Sequence, residues 1–169
     1  MSRRTRGVVA CVVVLAAGAG LLVWALRGGS PEIARPDLSA AQDSACRALV
    51  RDLPDTLVGE QSVAVTGATA YGAAWGDPAI VLTCGVEPLD LGDAPRCVVA
   101  DGVGWLVPDE DAAGDRDATF TADGYRPRVR VEIPDDYLPE QGASVLAELA
   151  APLKEHLTRK VSCLRVEEP

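Results

Sequence analysis

The sequence predicts an α+β fold: an N-terminal transmembrane helix, then a small two-layer domain in which an antiparallel sheet carries helices on one face, with two disulfides. Three observations predict it. A run of 20 residues, Gly7–Leu26, contains no charged side chain. Four cysteines, Cys46, Cys84, Cys97 and Cys163, all lie beyond that run. Between two segments of helical periodicity the chain breaks into short apolar runs punctuated by glycine, proline and aspartate, the pattern of strands joined by turns.

As a helix, Gly7–Leu26 rises about 30 Å, the thickness of a bilayer's hydrocarbon core. A cleaved signal peptide would end its apolar core near Ala17-Gly18-Ala19, yet the run continues through Leu21, Leu22, Val23, Trp24 and Leu26. A lipoprotein anchor at Cys11 would need the apolar stretch before the cysteine, and here it follows. Trp24 suits the interface, and Arg27 ends the span. Arg3, Arg4 and Arg6 flank the N-terminal side, so the positive-inside rule puts residues 1–6 in the cytoplasm and the C-terminal domain outside the cell membrane.

Residues 27–38 hold two glycines and two prolines and read as a short linker. The extracytoplasmic domain is expected over residues 39–169. Ser39 opens a helix with Gln42 three residues on, a capping-box spacing, and Pro54 closes it after Leu53. Ala45, Leu49 and Leu53 share a face of that helix, with Cys46 beside them. Strands are expected at Val63–Thr66, Tyr71–Trp75, Ile80–Gly85, Arg96–Ala100 and Trp105–Val107, with Gly76-Asp77-Pro78 joining two of them as a hairpin. Tyr125–Ile133 alternates Arg126, Arg128 and Arg130 with Val129, Val131 and Ile133, as a half-exposed strand requires. A last helix is expected from Gln141 to Lys160, with Leu146, Leu149, Leu153 and Leu157 in one stripe and a kink or restart at Pro152.

Four cysteines in an exported small domain read as a disulfide framework, and four allow three pairings. The expected pairing joins Cys84 to Cys97 across adjacent strands and Cys46 to Cys163 across the domain. Zinc-like spacing is absent: no CxxC occurs, and His156 is the only histidine.

The net charge of −9 conceals an asymmetry. Residues 1–27 carry four arginines and no acid, so the other 142 residues carry 12 basic and 25 acidic groups, a balance of −13. Such a domain repels nucleic acid and anionic lipid, whose binding depends on neutralising phosphates.

Candidate sites are few. Trp75 and Asp77 on a turn are candidates for contact with a partner or a sugar ring. The favoured reading is that Trp75 fills the core while Gly76, Asp77 and Pro78 supply turn geometry. Trp105 is a candidate pocket lining. Arg126, Arg128 and Arg130 form a candidate anion-binding face, against the favoured reading that they pair with neighbouring aspartates on a solvated sheet face. The loop Asp109–Asp117 partly follows a calcium loop, but Ala113 and Phe120 stand where ligands belong. No GxSxG elbow surrounds Ser144, and His156 flanks an apolar stripe, so no catalytic, cofactor or metal set is expected.

The segments Cys46-x-x-Leu49 to Pro54, Trp75-Gly76-Asp77-Pro78-Ala-Ile80-Val81-Leu82-Thr-Cys84-Gly85-Val86, Cys97, Gly102-Val-Gly-Trp105 and Val129–Pro134 resemble an actinobacterial membrane-anchored family, Domain of Unknown Function 3515. The resemblance implies an exported single-span envelope protein with four cysteines and carries no agreed activity. The expected role is therefore a non-catalytic domain that docks onto a membrane or cell-wall partner. A small-ligand or wall-precursor binding domain is the alternative, and a carboxylate-based hydrolase a more distant one.

Overall fold

The computed structural model describes residues 29–88, 96–108 and 117–159. The apolar segment 7–26, most of the acidic loop, Lys160 and Cys163 lie outside the described residues. No helix among the described residues is long and apolar enough to cross a membrane. Contacts divide the chain into Met1–Ser30 and Pro31–Pro169, and the second unit holds all the helices and strands named below.

Ser39 caps helix α1 (Ala40–Arg51) as its spacing to Gln42 requires. Its hydroxyl accepts from the Gln42 N–H at 3.4 Å, and the Gln42 side chain accepts from the Ser39 N–H at 3.2 Å. Two orphan donors of the first turn are thereby satisfied. The helix buries Cys46 and Leu49 completely. Helix α2 (Leu138–His156) starts three residues earlier than its apolar stripe suggests. Pro139 sits in its first turn, where a missing N–H breaks no bond. The helix continues through Pro152 without a restart. A proline inside a helix costs roughly 3 kcal/mol. Burial of Leu146, Leu149, Ala150 and Leu153 outweighs that, since each large apolar side chain removed from water stabilises by roughly 1.5–3 kcal/mol.

The chain between the two helices forms one eight-stranded antiparallel sheet. Its strands are β2 (Thr56–Leu57), β3 (Glu60–Val63), β5 (Gly72–Trp75), β6 (Ile80–Cys84), β7 (Arg96–Ala100), β8 (Val103–Val107), β9 (Ala118–Ala122) and β11 (Val129–Ile133). Their spatial order is β2-β3-β5-β6-β11-β9-β8-β7. Two small pairs complete the fold. β1 (Glu32–Ile33) lies parallel to β4 (Thr66–Gly67), and β10 (Tyr125–Arg126) lies antiparallel to β12 (Thr158–Arg159).

Turn chemistry explains the hairpins. Asp101 and Gly102 both have positive φ, +44° and +74°, in the two-residue loop between β7 and β8. Such loops match the twist of the flanking strands, and Asp-Gly adopts them readily. Val58-Gly59 forms the same kind of loop between β2 and β3, with the β-branched Val58 at φ +47°. That conformation is costly for valine. The Val58 N–H donates to Glu148 Oε2 of α2 at 3.0 Å, which ties the hairpin to the helix layer. The Gly76-Asp77-Pro78 segment joins β5 to β6 as expected, with a cis Asp77–Pro78 peptide.

Alternation sorts the faces. Val129, Val131 and Ile133 are fully buried, and so are Ile80, Leu82 and Cys84 of the neighbouring strand. Val129 is the register partner of Cys84 and Val131 of Leu82, so both strands turn one side inward. Both helices lie on that side. The N-terminal segment touches the sheet where glycine leaves room. A Cβ on Gly72 would stand 2.7 Å from Ile33 Cδ1, and one on Gly85 would stand 2.8 Å from Pro36.

Three expectations are corrected. First, Cys46 is bonded to Cys84, not to Cys163, and Cys84 is therefore not bonded to Cys97. Helix α1 lies directly over β6, which brings their Cα atoms to 5.6 Å. Cys97 is also disulfide-bonded, and its partner lies outside the described residues. Second, Tyr125–Ile133 is not one strand. Pro127, with no N–H to donate to a ladder, divides it into β10 and β11. Third, strand β9 has no counterpart among the expected strands, because its Ala-Thr-Phe-Thr-Ala sequence has a single large apolar residue. It is held by neighbours on both sides, β8 and β11.

The Cys46–Cys84 bond closes a loop with a sequence separation of 38. Removing both cysteines as alanines is expected to destabilise the domain by about 4 kcal/mol on the chain-entropy estimate, measured by urea denaturation. Non-reducing peptide mapping should recover a Cys46–Cys84 peptide.

Candidate functional site

The sequence candidates separate between the two faces of the sheet. Trp75 and Trp105 are fully buried. The Trp75 Nε1–H donates to the Pro54 carbonyl at 2.8 Å and ties the end of the α1 loop to β5. Trp105 faces the helices, opposite Ala122, and its Nε1–H meets no acceptor among the described residues. Neither indole is presented to a partner. Asp77 is exposed on the β5–β6 turn. Beside it, Tyr137 donates to the Pro78 carbonyl at 3.1 Å, and a Cβ on Gly76 would meet the Tyr137 hydroxyl at 2.5 Å. Burial, and then the nearby Glu60, Asp136 and Asp77 carboxylates, push the Tyr137 phenol above its usual pKa.

The arginines divide as well. Arg126 is exposed on β10 and donates back to the Tyr125 carbonyl at 2.7 Å. Arg128 and Arg130 point to the side of the sheet opposite the helices, because Val129 and Val131 beside them point inward. Burial, with Arg126 adding like charge, lowers the Arg128 pKa, while Glu87 opposes the shift. Arg130 stands in a cross-strand row with Thr83 of β6 on one side and Thr121 of β9 on the other, followed by Leu106 and Cys97. Val99, 54% exposed, lies on this same open face at the β7 edge.

Three further groups bear chemistry. His156 Nε2 stands 2.7 Å from Asp52 Oδ2, an ion-pair distance, but without the alignment of a hydrogen bond. The contact fastens the end of α2 to the end of α1. Asp117 Oδ1 accepts from the Asp135 N–H at 3.1 Å and with Glu132 lines a shallow depression of about 170 Å³. Among the described residues no three His, Cys, Asp or Glu side chains gather as a metal would need. Asp43, Arg47 and Tyr71 form a cluster that the sequence candidates do not include. The Arg47 Nε–H donates to Asp43 at 2.8 Å, Arg47 Nη2 to the Tyr71 hydroxyl at 2.7 Å, and that hydroxyl to Asp43. The guanidinium also lies 5.0 Å from the Tyr71 ring centroid. Its one legible signal is the i,i+4 spacing of Asp43 and Arg47; Tyr71 comes from far along the chain.

The geometry defines a two-layer α+β domain stapled through its core, with an arginine- and threonine-bearing sheet face away from the helices. Residues 6–161 match the family described as "Protein of unknown function (DUF3515)", and the chain belongs to that family. No curated protein and no solved structure matches it.

The Arg47 hydrogen bond, then that of Tyr71, holds the Asp43 carboxyl below its ordinary value of 3.8. A depressed carboxyl contributes stability that is present above that value and is lost as pH falls through the lower native one. Asp43→Asn is therefore expected to flatten the dependence of stability on pH below about 4 and to change its slope little near neutrality, measured by thermal unfolding across pH.

Proposed function

We propose that this chain is a non-catalytic cell-envelope protein, anchored in the membrane by residues 7–26 with its domain outside, and that the domain docks onto an envelope or wall partner. The observation that carries the docking reading is the sheet face left uncovered by the two helices. It combines half-buried Arg128 and Arg130 with the exposed Val99 at the edge strand. A mixed apolar and arginine surface is the composition favoured at protein contacts.

Two observations support the location. The fully buried Cys46–Cys84 bond belongs to an oxidising compartment, which the outer side of a membrane provides. The family match begins at residue 6 and so takes in the apolar segment. The linker read from the sequence, residues 27–38, is a dozen residues long and reaches at most about 40 Å, so the partner is sought near the bilayer.

Protease added to intact spheroplasts should digest the domain, and protection would place it in the cytoplasm. Photo-crosslinking residues placed at Val99 and Glu132, on the open face, are expected to capture one defined product in the living membrane. Placed at the exposed Ser144 of α2, the same group should capture none. Equal yields from both faces, or no product from either, would reject docking through this face.

A further inference from the structure

Two buried donors stand side by side on the open face without an acceptor among the described residues. Thr121 is only 5% exposed, and its hydroxyl has no hydrogen-bond partner there. The Nε–H of Arg130 is likewise buried and unpartnered. The two residues are register partners across β9 and β11. Directly opposed side chains in an antiparallel pair have Cβ atoms roughly 4.5–5.5 Å apart. A buried donor left unmade costs about 1–3 kcal/mol, and more when charged. Native folds hold few such groups, and an unseen ligand or water is a common reason for one.

We propose that Arg130 and Thr121 form a recognition point for an oxyanion, the carboxylate or phosphate of a small ligand or of a partner. An arginine Nε–H and the adjacent Nη–H are parallel donors whose spacing matches two oxygens of one such group. The Thr121 hydroxyl adds a third donor from the next strand. On the other flank the row runs through Thr83 to Gly72, where Ile33 packs against the sheet. Arg128 lies one pleat along the same face and brings a second positive charge. Burial and Arg126 disfavour that charge, and a bound anion relieves both effects. The nearest acids along the strand and beyond it are Glu132, exposed on the same face, and Glu87 beside Arg128. The unpartnered Trp105 Nε1–H points to the helix layer and cannot share this ligand.

The inference deepens the docking reading by naming what the open face recognises, and it rests on that face being accessible. The test is titration of the purified, isotopically labelled full chain with sodium acetate and, separately, inorganic phosphate, against sodium chloride at matched ionic strength. The Arg130 Nε–H resonance should shift saturably with at least one probe, and the probe that binds tells carboxylate from phosphate. Arg130→Lys keeps the charge and loses the fork, and Thr121→Val keeps the shape and loses the hydroxyl. Each should weaken binding about tenfold. A shift that chloride reproduces, that never saturates, or that both variants retain would mean an adventitious ion only and would overturn the proposal. No shift with either probe would mean that water satisfies the donors, which overturns it too. Crosslinks that persist from Val99 while anion binding is absent sink this inference alone. Anion binding without crosslinks sinks the docking reading alone.

Discussion

Cys46 and Cys84 meet at the centre of the molecule, and both are wholly excluded from water. One belongs to the helix that begins the domain and the other to the strand β6, inside the eight-stranded order and paired on both sides. Joining them sets the height and position of α1 over the sheet. That position in turn carries the Asp43–Arg47–Tyr71 cluster and the Asp52–His156 contact that fastens α2. A small domain has little core with which to hold two layers together. The bond therefore supports the face of the sheet on which both helices lie, while the opposite face carries Ile33 over Gly72 and the Arg130 row beside it.

The same inside-outside division decides what the candidate residues can do. Trp75 and Trp105 are the largest side chains in the core, and their burial removes them from any surface. Arg128 and Arg130 are placed on the other side by the pleat alone, since Val129 and Val131 beside them are buried. Among the described residues, these two arginines stand on a face whose neighbours are threonines and an exposed valine.

Much of the architecture is legible where local chemistry and packing agree. Ser39 and Gln42 mark α1, Leu146, Leu149 and Leu153 mark α2, and Val129, Val131 and Ile133 mark β11, because each pattern matches the period of its element. The turn at Gly76-Asp77-Pro78 announces itself through residues that serve little else. The cysteine pairing is not legible, because which strand lies beneath α1 depends on the order of strands across the sheet and not on spacing along the chain. Strand β9 is hidden for a related reason: alanine and threonine form a strand there because β8 and β11 hold it. Pro127 is a legible break within the arginine strand, and alternation alone hides it. Three arginines then look like one ladder, when only two belong to β11 and its approach. Thr121 carries no signal, since a threonine without a partner is defined by its surroundings.

Gly72 and Gly85 form the seats into which Ile33, Pro36 and Leu38 fit. The chain is made from its N-terminus, so these three residues exist long before their seats do. Ile33 has no place to settle until Gly72 and Leu82 have been assembled, and β1 has no neighbour until Thr66 and Gly67 are made. The part of the domain nearest the start of the chain is thus the part that must wait. Its first residues stay without a surface to rest on until the strands beneath them have been synthesised.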